Sequence, residues 1–363
     1  PVEAADDRSI RDAFVGAFQD GDYESAVRYA LNYLDVRPHD FTMRYNLACA
    51  YVGLGDRDEA ADALRAAVEA GFRDFAFMEA DPDLRALRDH PVYRAILSQA
   101  RSGRLSEPTP AVTLFRNEYG NEGYRYETDS ARNLDYATAL DAVAHREMKS
   151  MVEQQAEHLI ATFFGAMPEY RVLIAVPKPN HAHRMLRGNA NIGGIYDHTQ
   201  RLLVTRDIGS SLRHEFFHVM HYGHMERLQQ QHPLWIQEGL ASLYEEYDFG
   251  PDGRVRFLPN ERHNIVIRRH RAGRLVSWRD LTRMSDSRFM RQAGHLYPQI
   301  RSMFMYVADQ GKLESWYDAY VRTYRRDRHG FTAFEEVFGK PIQQVERDWL
   351  RWVGRQELSD QTI

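Results

Sequence analysis

The sequence predicts an α+β protein that is mostly helical, with a module of repeated helix pairs, then a small mixed sheet, then a helical C-terminal part. Three observations support this fold class. A short pattern recurs after 34 residues near the N-terminus, a β-branched run marks a buried strand in the middle of the chain, and the apolar spacing from residue 209 onward is almost wholly helical. We therefore expect helical repeats over 1–102, a linker and first strands over 103–130, and a second domain over 131–363.

The composition is that of a folded globular protein. The chain has 363 residues, of which 43% are hydrophobic and 12% aromatic, enough apolar material for two or three domains with real cores. Cys49 is the only cysteine, which excludes both a disulfide framework and a zinc site built from thiolates. No apolar run reaches the ~18 residues that a membrane-spanning helix requires, so we expect no membrane span.

Charge is unevenly distributed along the chain. Residues 1–100 carry 19 Asp or Glu and 11 Arg, a net charge of −8, whereas the whole chain carries −5 and the remainder therefore +3. This step supports a domain boundary near residue 100 and argues against a general nucleic-acid-binding surface. One basic stretch, Glu261 to Arg291, holds nine arginines. We expect a solvated helix face there, with an anionic partner as the alternative.

The sequence leaves the cellular compartment open. The chain begins at Pro1 without a methionine, and nothing in it resembles a surviving signal peptide. Because an exported protein can also lack disulfides, the single cysteine does not decide the matter. We expect a soluble protein, and export followed by removal of a leader would account for the missing methionine.

The N-terminal repeat is visible in two short segments. "GDYESA" at 21–26 recurs as "GDRDEA" at 55–60, and the Gly-Asp turns and Pro38 are expected to end helices. A 34-residue helix–turn–helix period is that of tetratricopeptide repeats, which residues 8–75 resemble. The following segment, 70–97, is expected to close the repeat group. The resemblance implies a module that binds a protein partner or packs against the next domain.

The middle of the chain is expected to contain the strands of the mixed sheet. A linker at Pro108-Thr-Pro110 precedes the sheet. The last two strands of the sheet are expected to be short and to end just before a histidine-rich helix. The predicted elements are strands over 111–130 with a turn at Gly120–Gly123, a long helix over about 136–164, a buried strand over 170–177, and two short strands around Asp197-His198.

A metal-binding motif lies in the histidine-rich helix. His214-Glu215-Phe216-Phe217-His218 matches the zinc-peptidase pattern H-E-x-x-H. On a helix, positions i and i+4 lie on one face, so His214 and His218 can direct ring nitrogens at one ion. Glu215 projects beside that ion, where it can take a proton from water. Catalytic zinc needs a third protein ligand and one open position.

Two residues compete as the third ligand, and His224 is the first. The spacing of His214, His218 and His224 is that of the metzincin peptidases. Those enzymes need a glycine at the place that His221 occupies here, because the helix must turn sharply there. Gly223 comes two residues too late for that turn, so the metzincin alternative is disfavoured.

Glu238 is the second candidate, twenty residues after His218 in "PLWIQEGLASLYEEY". The pattern W-x-x-E-G-x-A-x-x-x-E resembles the third-ligand helix of the gluzincin metallopeptidases, in particular the group of the aminopeptidases and leukotriene A4 hydrolase. This resemblance implies that Glu238 completes the ligand set. It also implies that Glu245 is a carboxylate that supports the ligands without binding the ion.

Two further parts of the site come from the same resemblance. The segment 294–321 is similar to the one that carries a catalytic tyrosine in these enzymes, which places Tyr297 as a hydrogen-bond donor to the oxyanion; the alternative is a packed core tyrosine. Gly193 and Gly194 are similarly expected to lie on an edge strand and leave room for a substrate peptide. The Gly-x-Met-Glu-Asn strand of the exopeptidases is missing, so aminopeptidase specificity does not follow.

The resemblance covers about residues 170–350 and implies a zinc-dependent peptide-bond hydrolase in which Glu215 activates zinc-bound water. The expected cofactor is Zn²⁺, and the expected partners are a peptide or protein substrate and a protein bound by the repeat module. The rival hypothesis is a scaffold or peptide-binding protein whose zincin domain binds zinc but is catalytically silent. The intact H-E-x-x-H…E set argues against that rival, because a silent domain has no need of Glu215.

Overall fold

The computed structural model describes residues 7–36, 40–102, 110–121, 123–186, 192–251, 253–284 and 286–359. The chain divides into two compact units. Unit 1 comprises Pro1–Glu122, His183–Asn189 and Asp197–Leu202, and unit 2 comprises Gly123–Ala182, Ala190–Tyr196 and Leu203–Ile363. Helices predominate over strands, and the described strands form one five-stranded and one two-stranded sheet. The protein is therefore α+β and mostly helical, as predicted.

Unit 1 begins with helices that repeat at a fixed interval. They are α1 (Asp7–Gln19), α2 (Tyr23–Val36), α3 (Phe41–Leu54), α4 (Arg57–Ala70), α5 (Phe75–Ala80) and α6 (Pro91–Arg101). Helices α3 and α5 begin at residues 41 and 75, and helices α2, α4 and α6 begin at 23, 57 and 91, so both series have a period of 34 residues. The equivalent residues Ala26 and Ala60 are fully buried in the core of unit 1, because a small side chain lets two helices approach closely.

The structure extends the period to a third helix pair, whereas the sequence repeat covers two. Asp40 and Asp74, 34 residues apart, cap α3 and α5 in the same way, by accepting hydrogen bonds from Met43 N and Phe77 N. Helix α5 ends after six residues, and the buried Asp81 that follows accepts a hydrogen bond from Tyr45 Oη at 2.6 Å. Because α5 has six residues where α3 has 14, most helix positions at which a third copy of the repeat could be recognised in the sequence are absent.

The mixed sheet belongs to the middle of the chain. Its strands are β1 (Arg125–Asp129), β2 (Leu134–Thr138), β3 (Val172–Val176), β4 (Gly194–Asp197) and β5 (Leu202–Thr205), in the order β1-β2-β3-β5-β4. β1 and β2 pair antiparallel, whereas β2 and β3 pair parallel, with Leu134 opposite Val172. The parallel pair is joined by helix α8 (Ala142–Leu159), as a parallel crossover requires. β4 is an edge strand of this sheet.

The sequence prediction was right for β1, which lies within the strands predicted over 111–130, and for β3, β4 and β5. It missed β2 and was wrong for residues 111–119. Residues Ala111–Tyr119 form helix α7 and no strand, because Phe115 packs on Tyr119 one turn later and Gly120, at φ 70°, ends the helix. The long helix begins only at residue 142, where Asp141 caps it, and it ends in a π-helical turn at Ile160–Phe164. Of the predicted linker, residues 108 and 109 lie outside the described part of the chain.

The rest of the described chain is helical except for one short hairpin. Strands β6 (Tyr247–Phe249) and β7 (Val255–Phe257) pair antiparallel, and their three-residue length gives no detectable period in the sequence. The helices are α9 (Pro179–Met185), α10 (Ser210–Leu228), α11 (Leu234–Leu243), α12 (Glu261–Arg271), α13 (Trp278–Thr282), α14 (Asp286–Arg291), α15 (Ala293–Asp309), α16 (Leu313–Thr323), α17 (Phe331–Phe338) and α18 (Ile342–Gly354).

The core of unit 2 encloses α10 and α11. Helix α15 packs closely on α11 because Gly239 has no side chain: a Cβ there would lie 2.5 Å from a ring atom of Phe304. Trp235 stacks on the same Phe304 ring at a centroid distance of 5.5 Å. The helix that carries the predicted third ligand is thus fixed from behind by a large aromatic core. Across the residues described above, no helix combines the length and the apolarity needed to cross a bilayer.

Candidate metal centre

Helix α10 brings two histidines to one face. His214 and His218 are one turn apart and both buried, and their Nε2 atoms lie 3.2 Å from each other. Their rings meet edge to face at a centroid distance of 4.9 Å. Ten of the 19 residues of this helix are buried, and both histidines line a cavity.

Glu238 on α11 completes a group of three ligand atoms. Its Oε2 lies 3.2 Å from His214 Nε2 and 3.5 Å from His218 Nε2. In a tetrahedral shell with ligands at the usual zinc distances, neighbouring donor atoms are about 3.3–3.4 Å apart. The three atoms therefore have the spacing of one face of such a shell, and this group could hold a metal ion. The alternative third ligand, His224, does not belong to this group.

The charges of the group favour a cation. Burial raises the pKa of Glu238, but the charge of His218 and hydrogen bonds to both histidines outweigh it and hold that pKa well below its usual range. Burial lowers the pKa of His214, but hydrogen bonds to Glu238 and Glu245 outweigh it and raise that pKa to about 10. The carboxylates thus stabilise positive charge at the site. In the metal-free protein that charge is a proton on His214, which a bound metal ion would displace.

Glu245 supports His214 from behind. Its Oε1 accepts a hydrogen bond from His214 Nδ1 at 3.1 Å, which directs Nε2 toward the other ligand atoms. Helix α11 ends at Leu243, so Glu245 lies in the turn that follows the helix, although the pattern that resembles the third-ligand helix includes it. Asn260 and Arg262 also hold this carboxylate, at 3.0 Å each.

Glu215 lies between the two ligand histidines and is held by strand β4. Its Oε2 accepts a hydrogen bond from the main-chain N–H of Tyr196 at 2.8 Å. Burial raises the pKa of Glu215, and the neighbouring His214 and His218 oppose that rise. A raised carboxyl pKa brings the group closer to the range in which a general base works well near neutral pH.

Gly193 and Gly194 line the same cavity and also lie close to helix α10. A Cβ on Gly194 would lie 2.8 Å from Glu215 Cγ and 3.1 Å from the carbonyl oxygen of Val204. A Cβ on Gly193 would lie 2.1 Å from Ser211 Oγ. The absent side chains thus make room for helix α10, and binding of a substrate peptide along this strand stays a prediction.

Tyr297 lies in the first turns of α15 and lines the cavity, half-buried. Its hydroxyl contacts Met290 Sδ at 3.9 Å, and the guanidinium of Arg262 lies 5.2 Å from its ring centre. Burial and the nearby charge of Glu238 raise the pKa of Tyr297, so the phenol keeps its proton and can donate it in a hydrogen bond.

The other histidines of α10 belong to the core. His221 is fully buried, and its Nε2 lies 2.8 Å from His232 Nδ1. His224 packs against the rings of Phe164 and Tyr317. Burial lowers the pKa of His232 to about 3 and of His224 to about 4. Uncharged imidazoles therefore pack on the side of α10 that faces the core.

The cavity over the group has a volume of about 750 Å³. Several of its lining residues were not predicted from the sequence, among them Tyr222, Asn260, Arg262 and Met290. Asn260 could have been found, because it stands directly before a helix and asparagine is a preferred N-cap. Tyr222 could also have been found, because it follows His218 by one turn on the same face of α10. Arg262 and Met290 reach the site only through tertiary packing. Comparison of the chain with known protein families finds no match, and comparison with curated proteins finds none either.

Proposed function

We propose that the protein is a zinc-dependent peptide-bond hydrolase of the gluzincin type. One observation carries the proposal: His214, His218 and Glu238 present three ligand atoms 3.2–3.5 Å apart, with Glu215 between the histidines at the wall of the same cavity. Two imidazoles and a carboxylate, with a fourth position open, are a common ligand set of catalytic zinc. A bound zinc ion would make water more acidic and polarise a substrate carbonyl.

The chain's own residues support the proton transfers of hydrolysis. Glu215 would take a proton from water as the water oxygen adds to the carbonyl carbon. The same carboxyl would return that proton to the amide nitrogen as the C–N bond breaks, leaving a carboxylic acid and an amine. Tyr297 would donate a hydrogen bond to the oxygen that becomes negative between these two events.

A peptide is favoured as the substrate by the position of β4. Residues 192–196 line the cavity, and β4 is an edge strand, whose main-chain groups can pair with an extended chain. The N-terminal helix pairs of unit 1 are proposed to be a tetratricopeptide-like module for a protein partner, which their 34-residue period supports.

The decisive experiment is Glu215→Gln. Glutamine keeps the shape and accepts the Tyr196 hydrogen bond but cannot act as a base. Zinc content, measured by elemental analysis, should stay near one ion per chain, while hydrolysis of a diverse peptide library should fall by about 10²- to 10⁴-fold. A wild-type protein that holds zinc and cleaves no peptide would favour the catalytically silent scaffold. Equal cleavage by both forms would place the activity elsewhere.

A further inference from the structure

We propose that Asn260 and Arg262, at the start of α12, position two parts of the site at once: Glu245 behind the ligand His214, and Tyr297 in the cavity wall. We refer to Asn260 and Arg262 together as the α12 clamp. The catalytic consequence of the clamp rests on the proposed function. Its effect on metal binding does not.

Asn260 joins the start of α12 to Glu245. Its Oδ1 accepts a hydrogen bond from Arg262 N at 3.1 Å and so caps the helix, while its Nδ2 donates to Glu245 Oε2 at 3.0 Å. The side chain is buried, so both bonds form away from bulk water. A single residue therefore fixes where α12 begins and where the Glu245 carboxylate points.

Arg262 holds the other oxygen of Glu245. Its Nη2 lies 3.0 Å from Oε1, the same oxygen that accepts the hydrogen bond from His214 Nδ1 at 3.1 Å. Because Glu245 stands in a turn, no helix fixes its side chain. The position of the carboxylate depends on these donors, and the direction of the His214 ring depends on the carboxylate.

Arg262 also reaches Tyr297. The guanidinium carbon lies 5.2 Å from the centre of the tyrosine ring, within the range of a cation–π contact. The ring is otherwise bordered by Phe289, at a centroid distance of 5.8 Å. The planar guanidinium of Arg262 thus contacts both Glu245, which supports the ligand His214, and Tyr297, the proposed oxyanion donor. The ammonium group of a lysine cannot reproduce both contacts.

Metal affinity tests the connection to Glu245. Asn260→Ser keeps an N-cap oxygen but loses the amide donor, and Arg262→Met keeps the apolar stem but loses the charge. Each should weaken Zn²⁺ binding about tenfold in competition with a chelator, and Glu245→Ala by about 10- to 100-fold. The Co²⁺-substituted variants should show shifted visible absorption bands. Arg268→Met, an exposed position on the same helix, is the matched control and should match wild type.

Turnover tests the connection to Tyr297. Arg262→Met should lower kcat while KM stays nearly constant. Arg262→Lys should recover most of the Zn²⁺ affinity, because it restores a charge beside Glu245, but little of kcat. Arg262→Lys keeps a charge beside Glu245, so it isolates the contact with Tyr297. If Arg262 acts on turnover through Tyr297, then Arg262→Lys combined with Tyr297→Phe should lose no more kcat than Tyr297→Phe alone. Additive losses would overturn this part of the proposal.

The readouts separate failure of the clamp from failure of the proposed function. If Asn260→Ser and Arg262→Met match Arg268→Met in Zn²⁺ affinity and in the Co²⁺ spectrum, the clamp is wrong, whatever the protein cleaves. If the wild type binds zinc but cleaves no peptide, the proposed function fails. The affinities and spectra then still decide whether Asn260 and Arg262 position the ligand.

Discussion

The main-chain N–H of Tyr196 donates a hydrogen bond to Glu215 Oε2 over 2.8 Å, so the carboxylate beside the metal ligands is oriented by a strand as well as by its own helix. The side chain comes from α10, and its direction is set by β4. Proton transfer at this site should therefore depend on the strand, although the strand contributes no acid or base to it.

Gly194→Ala should lower kcat by about 10²-fold, because the new Cβ would lie 2.8 Å from Glu215 Cγ and displace that side chain. The strand cannot shift to relieve this contact, since the carbonyl oxygen of Val204 would lie 3.1 Å from the same Cβ. Zinc content should not change, since no ligand moves. The control is Gly16→Ala in α1, where a Cβ would meet no atom within 4 Å. Steady-state kinetics and metal analysis check the prediction, and unchanged kcat in Gly194→Ala would contradict it.

His218→Ala and Glu238→Ala should each lose the metal, because each removes one of the three atoms that form the ligand group. His224→Ala should retain about one zinc per chain, since its ring packs against Phe164 and Tyr317. Elemental analysis of the purified variants checks this. Full zinc in Glu238→Ala with loss in His224→Ala would require the metzincin ligand set instead.

Tyr297→Phe should lower kcat by roughly 10²- to 10³-fold, as expected when one oxyanion donor is lost, and leave zinc content unchanged. Tyr306→Phe is the matched control, because Tyr306 lies on the same helix but stacks on Phe338 in the core. Steady-state kinetics of both variants on one peptide decide the matter. If both lose activity equally, Tyr297 acts through packing of α15 alone.

Acid should destabilise the fold well before its carboxylates are all protonated. Burial lowers the pKa of His158 to about 4, of His224 to about 4 and of His232 to about 3. The unfolded chain binds these protons near pH 6.5, whereas the folded chain binds them only near pH 3–4. The contribution of these three histidines to stability is therefore full above about pH 6.5 and falls as the pH is lowered toward 4.

Urea unfolding midpoints measured between pH 7 and 5 check this prediction. His158→Gln, which can still bond to the Tyr244 hydroxyl that lies 2.9 Å from His158 Nε2, should flatten the pH dependence by removing one titrating group. A midpoint that does not change over this range in the wild type would contradict the assignment of neutral buried histidines.

The sequence could predict those features that depend on local spacing. The interval between His214 and His218 requires only a helix, and the pattern around Glu238 suggested the residue whose carboxylate the structure brings to them. The buried strand β3 was likewise visible in its β-branched run. Each of these rests on fewer than about a dozen consecutive residues.

What could not be predicted depends on contacts between distant segments. Nothing near Arg262 in the sequence indicates that it reaches both Glu245 and Tyr297, because helix packing decides that. Residues 111–119 alternate like a strand, yet the contact of Phe115 with Tyr119 belongs to a helix. The third helix pair was hidden because α5 ends after six residues.

The short connection between α10 and α11 has a consequence for how the site forms during refolding. All three ligand atoms come from residues 214–238, a low-contact-order segment whose ends meet after closing a short loop. Tyr297 and β4 lie outside that segment, so their contacts need the rest of the domain. In a refolding time course, capture of zinc should therefore precede the return of hydrolysis, and the delay between the two measures how long α15 and β4 take to dock.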